Sequence, residues 1–337
     1  MKETNLFRYA TSELSQDAFI CWLLSHAKIE NQNKNTEITQ CAVDFLHAIP
    51  QLSKVKDIAE IQRQYSVGNV RIDILLTIDN YKIIIEDKIF SEATDSQIQA
   101  QKNALVAEGI AASQIICVFY KTVEQWYKPK AADKIFSRSE LLAIFNKYKD
   151  RINSDIFTDY VDYLENFNQE ENLYNTLPIA EWWSMPYTGF FKHLIDTKAV
   201  SKENWWGYVK RGRKKGGGGF NCLCWYPLNN AELDQIGLTE DYCDECKLQI
   251  ENNKIAVKMS ADGEAYDKEK VNYARQKILA YFQSCIPNFE KPARQVFANW
   301  MTVGYIEYDE KNFAEKIKLM NDTFFAMKTN FKLVPMH

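Results

Sequence analysis

Val70-Arg71-Ile72-Asp73-Ile74-Leu75-Leu76-Thr77-Ile78, then Asp79-Asn80, then Tyr81-Lys82-Ile83-Ile84-Ile85-Glu86-Asp87-Lys88, is the stretch on which the reading of this chain turns. Two apolar runs of strand length around a two-residue turn signal predict a β-hairpin. With the loop at Asp79-Asn80, Ile78 faces Tyr81, and counting outward pairs Leu76 with Ile83, Ile74 with Ile85 and Asp73 with Glu86. Opposed residues share a sheet face with Cβ atoms roughly 4.5–5.5 Å apart. Lys88, two residues past Glu86, points to that face, and Asp87 points away. Two ionised carboxylates that close repel unless a cation stands between them. One reading is a solvated strand end, with the acids paired to Lys88 and Arg71; the other is a seat for a hard divalent ion. The strand interiors are apolar on both faces, which predicts a sheet covered on both sides and tilts the balance toward a functional pair.

A chain of 337 residues allows about two domains. With 46% hydrophobic and 26% charged residues and no low-complexity tract, it has the composition of a globular protein and not of a disordered one. The net charge of -4 gives no global attraction to nucleic acid, so such a partner needs a local basic patch. No run approaches the ~18 apolar residues of a membrane span, and the N-terminus lacks the apolar stretch of a signal peptide. The expectation is a cytoplasmic protein with no membrane partner, whose eight cysteines are reduced thiols.

Outward from the hairpin, Thr11-Ser12 can cap a helix carrying Glu13 and Asp17 on one face, four residues apart, followed by Ile20 and Leu24. First-turn acids are also favoured by the helix dipole, by ~0.3–1 kcal/mol. A helix over 38–48 precedes Glu60–Val67, which alternates like a strand before the Gly68-Asn69 turn. After the hairpin, 91–108 reads as a helix bearing Gln97, Gln99 and Gln101, and 114–120 as a buried strand. Strand, helix and strand make a crossover unit, expected to be parallel and right-handed. Helices are expected over 137–149 and 155–167, and the polar stretch 168–172 marks the domain boundary, giving domains 1–170 and 171–337.

The second half reads as an α+β module: strands near 205–210 and 220–226, a hairpin around Asn252-Asn253, and later a helix, a strand and a helix. Between the first two strands, Arg211, Arg213, Lys214 and Lys215 stand beside four glycines and could hold a phosphodiester backbone, or form a solvated hairpin tip. Cys243 and Cys246 have zinc-ligand spacing, whereas Cys222 and Cys224 alternate along a strand; small core residues are the preferred reading, ahead of zinc.

An acidic helix, three meander strands with Asp on the second and Glu-x-Lys ending the third, a glutamine-bearing helix and a fourth strand resemble the PD-(D/E)xK nuclease superfamily, over roughly residues 1–125. Within it the chain resembles bacterial members whose N-terminus reads Glu-Leu-Ser-x-Asp-Ala followed by Trp-Leu-Leu, here Glu13–Ala18 and Trp22–Leu24. The resemblance implies a restriction-endonuclease-like α/β core (αβββαβ, mixed sheet flanked by helices) with a C-terminal α+β domain for substrate or partner recognition. It implies that Asp73 and Glu86 hold Mg2+, Mn2+ being an alternative, with the carbonyl of Asp87 as a further ligand. Lys88 is then the lysine that polarises the attacking water or touches the phosphate. Glu13 matches the first-helix acid that assists the metal, with Asp17 a second choice, and Gln97 matches the glutamine opening the following helix. Ile72 replaces the family's proline, and Gln101 stands where the usual pattern has an aromatic residue.

Those residues point to a Mg2+-dependent phosphodiesterase, a hydrolase acting on nucleic acid, DNA ahead of RNA, that would suit bacterial defence or DNA processing. The alternative is a catalytically weak or inactive regulator that grips nucleic acid or a ligand with the same fold. Self-association stays open.

Overall fold

A computed structural model describes residues 2–31, 36–55, 57–91, 93–123, 128–200, 207–213, 219–239, 241–261 and 265–335; for 36, 207–213, 219 and 220 it describes the backbone alone. The chain divides into two compact units, Met1–Gln169 and Glu170–His337.

The first unit begins with helices α1 (Glu13–Ser25) and α2 (Thr36–His47) and strands β1 (Glu60–Val67), β2 (Val70–Ile78) and β3 (Tyr81–Lys88). Helix α3 (Asp95–Ala107), strands β4 (Ile115–Lys121) and β5 (Lys134–Ser137) and helices α4 (Arg138–Phe145) and α5 (Asp155–Asn172) follow. The sheet order is β1-β2-β3-β4-β5. β1, β2 and β3 are antiparallel neighbours, whereas β4 runs parallel to β3 and β5 parallel to β4. This five-stranded mixed sheet flanked by helices has the restriction-endonuclease-like plan. The hairpin register is the one counted from the sequence, Ile78 against Tyr81, Leu76 against Ile83 and Ile74 against Ile85. Asp79 at the turn takes a left-handed φ of +50°, a conformation that Asp tolerates better than most residues.

Helices cover both faces because the strands are apolar on both. Under α3, Ile98 and Leu105 pack with Leu75, Ile84, Cys117 and Phe119. On the other face α1, α2 and α5 bring aromatic rings together: Phe19 stacks on Tyr160 at 3.6 Å, and Phe45 on Phe136 of β5 at 4.6 Å. Two features depart from expectation. β5 is a four-residue strand ahead of α4, too short to announce itself by period. The polar stretch 168–172 belongs to the last turns of α5, since helix-forming Gln169-Glu170-Glu171 continues the helix without needing an apolar stripe.

The second unit contains α6 (Ser184–Asp196), β6 (Gly207–Arg213), β7 (Gly219–Trp225), α7 (Asn230–Gln235), β8 (Glu245–Glu251), β9 (Lys254–Ser260), α8 (Lys268–Cys285), β10 (Trp300–Glu307) and α9 (Phe313–Asn330). Its five strands form an antiparallel meander in the order β10-β9-β8-β7-β6. Trp225, fully buried, donates its indole N–H to Asn321 of α9 at 2.7 Å, tying sheet to helix.

Candidate active site

Glu86 lies one residue beyond the last hairpin pair, only 1% exposed, where α3 passes over β3. Thr94 caps α3 by accepting the N–H of Gln97 at 3.3 Å, which fixes Gln97 in the first turn. Its amide donates to Glu86 Oε1 at 2.5 Å. Gln101, one turn later and fully buried, donates to Glu86 Oε2 at 2.5 Å and to the Arg71 carbonyl at 3.1 Å. Two glutamines at i and i+4 therefore grip the two oxygens of one carboxylate. Lys88 pairs with Glu86, lies 3.4 Å from Asp73 Oδ2 and donates to the Asp87 carbonyl at 2.8 Å. One ammonium thus touches all three groups that the family pattern assigns to the metal. Burial pushes the Glu86 carboxyl up, Asp73 adds to the shift, and Lys88 opposes it. Lys88 is held above its ordinary value: burial pulls it down, and Glu86 and Asp73 outweigh that pull.

Asp73 is half-buried and reached from the other side. The β2–β3 pairing ends at Ile74–Ile85, so Asp73 and Glu86 are not a ladder pair; the strands part there, and the Asp87 N–H donates to Asp73 Oδ2 at 3.1 Å. Asp73 Oδ1 faces the Gln64 amide of β1 at 3.4 Å, which also donates to Asp17 Oδ2 at 2.6 Å. On α1, Glu13, Gln16 and Asp17 occupy one face by their spacing. Glu13 Oε1 accepts from the Ile89 N–H at 3.3 Å and the Ser91 hydroxyl at 2.7 Å, pinning the chain that leaves β3. The same segment is held by Lys121, whose ammonium donates to the carbonyls of Ile89 and Ser91 at 2.9 and 2.6 Å. Gln16 donates to the buried Asp87 carboxylate and accepts from Thr122 and Tyr160 at 2.6 and 3.0 Å. Asp17, equally buried, has its carboxyl pushed up to about 6 by burial and by Asp73. Asp87 is raised well above the ordinary range by burial first; Gln16 opposes this, and Asp17, Asp73 and Glu13 add to it.

Acidic charge therefore exceeds its local compensation. Asp73 and Glu86 share the single positive charge of Lys88, and Asp17 Oδ1 and Asp87 Oδ2 are buried without a hydrogen-bond partner. The donor set fits a hard divalent ion: two carboxylates and a carbonyl, all oxygen, already gathered around one cation. Among the described residues no three Asp, Glu, His or Cys side chains form a ready cage.

Asp73, Glu86, Asp87, Lys88, Gln97 and Glu13 thus meet around one end of β3. The sequence reading did not assign Gln16, Gln64 or Gln101; for Gln16 and Gln101 the signal was spacing, three residues after Glu13 and four after Gln97. Gln64 gave none. The basic loop stands elsewhere in the chain: Arg211 and Arg213 end β6, with Arg213 registered against Gly219, while their side chains and the whole of Lys214 and Lys215 lie outside the described residues. The paired cysteines lie in the core of the second unit. Cys243 and Cys246, 3.9 Å apart, and Cys222 and Cys224, 4.0 Å apart, are buried. Cys243 donates to the Leu238 carbonyl and Cys224 to Gln249. Two cavities of about 400 and 480 Å³ lie in the second unit, lined by Trp182, Ile179 and Glu310 among others, and neither is lined by Asp73, Glu86 or Asp87.

Among the described residues no helix is long and apolar enough to cross a membrane. No curated protein and no solved structure matches the chain. A family model described as the PD-(D/E)XK nuclease superfamily matches residues 4–179, just over half of the chain and the whole of the carboxylate site. That family is one of nucleases, which implies phosphodiester hydrolysis and a nucleic-acid substrate, and the chain belongs to the PD-(D/E)XK nuclease superfamily.

Proposed function

We propose that the protein hydrolyses phosphodiester bonds of DNA with Mg2+, Mn2+ serving as a substitute, and that residues 171–337 form a domain that selects the substrate or a partner. The observation that carries this reading is the convergence of Asp73, Glu86 and the Asp87 carbonyl on the single ammonium of Lys88. Asp73 and Glu86 would hold the ion, the Asp87 carbonyl would complete its protein ligands, and Glu13 would fix the segment after β3. Bound there, a divalent ion supplies Lewis-acid polarisation of the phosphate and a nucleophilic water near neutral pH.

The chain's own residues do the rest. Gln97 and Gln101 lock Glu86 in one orientation, so little reorganisation remains when charge develops in the reaction. Lys88, a point charge on a flexible stem, neutralises negative charge growing on the phosphoryl oxygens. The buried network Thr122–Gln16–Asp87 fixes the strand end that presents both the carbonyl and Lys88. Arg211, Arg213, Lys214 and Lys215 are assigned to the phosphate backbone of the same substrate on the strength of their charge and the neighbouring glycines. On this reading the activity serves bacterial defence or DNA processing.

A substrate panel tests the proposal: supercoiled plasmid, linear duplex, single-stranded DNA and RNA, each with Mg2+, Mn2+ or a chelator. Cutting of DNA that needs the metal is expected. Cutting of RNA alone would overturn the substrate, and cutting in chelator would overturn the metal.

A further inference from the structure

We infer that Gln64 is a positioning residue for the Asp73 carboxylate. The inference rests on the reading of Asp73 as a metal-holding group and adds to it a residue that touches neither substrate nor ion.

Gln64 sits in the middle of β1 with φ of +55°. For a residue with a long side chain this is a sparsely populated region, and such residues persist only where the surroundings over-determine them; they cluster at functional sites. The kink is local. β1 pairs with β2 through Arg63–Ile74 and again through Tyr65–Ile72, and the position skipped between them is Gln64 against Asp73. On β2 the same point breaks the alternation of side chains: Ile72 and Leu75, three residues apart and on opposite faces of a regular strand, both pack in the cluster under α3. β1 is the sheet's edge, so one lost ladder pair is tolerated there, as at the bulges that re-aim side chains beside active sites.

The kink brings one amide group between two acids. Gln64 Nε2 lies 2.6 Å from Asp17 Oδ2 on α1 and 3.4 Å from Asp73 Oδ1 on β2. Asp17 is buried in the packing of α1, so it serves as a fixed post and Gln64 as the tie to Asp73. The chemistry of an amide suits that place. A lysine would compete with an ion for the Asp73 oxygen, and a glutamate would add a negative charge to two already present, whereas a neutral donor orients the carboxylate and leaves its remaining lone pairs free.

Gln64→Gly is the direct test, because glycine adopts φ of +55° without strain and only the side chain is lost. The full-length protein is titrated with Mn2+ by calorimetry, its thermal midpoint is measured, and cleavage is followed against Mn2+ concentration. Loss of an outer partner of a ligating group typically weakens metal binding ~10–100-fold. We expect a shift of that size, a cooperative thermal transition showing that the variant is folded, and kcat that recovers at saturating Mn2+. Gln64→Met, which keeps the length and removes the donor without adding charge, is expected to bind Mn2+ as weakly, and it carries the test if the glycine variant does not fold. Wild-type Mn2+ affinity in Gln64→Gly overturns the inference. Asp73→Asn separates a role for Gln64 from a role for Asp73. If that variant loses Mn2+ while Gln64→Gly retains it, Gln64 alone loses its role; if Asp73→Asn binds like wild type, the metal-site reading falls and the inference with it.

Discussion

Replacing Asp17 by Asn should stabilise the first unit at neutral pH and leave it unchanged in acid. Asp17 is 1% exposed, and its carboxyl is raised from 3.8 to about 6, by burial first and the charge of Asp73 second. Each pKa unit is worth ~1.4 kcal/mol, so a shift of about two units amounts to ~3 kcal/mol. For an acid raised in the folded state the sign is a penalty. Below about 3.8 the group is protonated both folded and unfolded and contributes nothing; between about 4 and 6 the unfolded chain ionises first and stability falls; above about 6 the whole penalty is present. Asn keeps a side-chain oxygen for Gln64 to donate to and removes the charge. For a unit of this size, Met1–Gln169, ~3 kcal/mol corresponds to roughly 6–12 °C in Tm. Scanning calorimetry of both proteins in chelator, from pH 4 to pH 8, should show a Tm difference that is near zero at pH 4, grows through pH 5–6 and levels off above pH 7. The same difference at both ends of the range, or a variant less stable than wild type at pH 8, would refute the electrostatic account of Asp17.

Gln101→Leu removes the amide that holds Glu86 Oε2 while keeping much of its volume; Mn2+ affinity by calorimetry should fall ~10–100-fold with the fold retained. Gly304→Ala probes the second unit alone. A Cβ there would lie 2.2 Å from the Phe289 ring and 2.8 Å from the Glu290 carbonyl, at the irregularity in β10. Overpacking of this kind typically costs ~1–3 kcal/mol, so the thermal transition of that unit should drop while Mn2+ binding is unchanged.

How much of this was legible beforehand differs from residue to residue. The hairpin register followed from one turn and a two-residue period, and counting outward brought Asp73, Glu86 and Lys88 to one strand end. Counting also overshot: it made Asp73 and Glu86 a ladder pair, when the strands part after Ile74–Ile85 and a backbone N–H takes the place of the pairing. Gln97 was found through its likeness to a family pattern, whereas Gln101 looked like a missing aromatic and proved to be a second hold on Glu86. Contacts such as Gln16 with Asp87, 71 residues apart, have no local signature, because their partners are chosen by how α1 lies across the sheet. A left-handed glutamine in a strand is invisible for a related reason: propensity would have assigned Gln64 regular β geometry, and only the acids on either side of it make the kink worthwhile. β5 escaped because four residues carry too little period to be read.

The central claim is that Asp73 and Glu86 hold the ion on which cleavage depends and that Lys88 acts beside them. The most direct measurement compares the rate of phosphodiester cleavage by wild type, Asp73→Asn and Lys88→Met on one DNA substrate at saturating Mg2+, with Mn2+ binding recorded for each. The account predicts that both variants lose cleavage by orders of magnitude, Asp73→Asn together with its Mn2+ and Lys88→Met while still binding it. Cleavage by Asp73→Asn at the wild-type rate would contradict it.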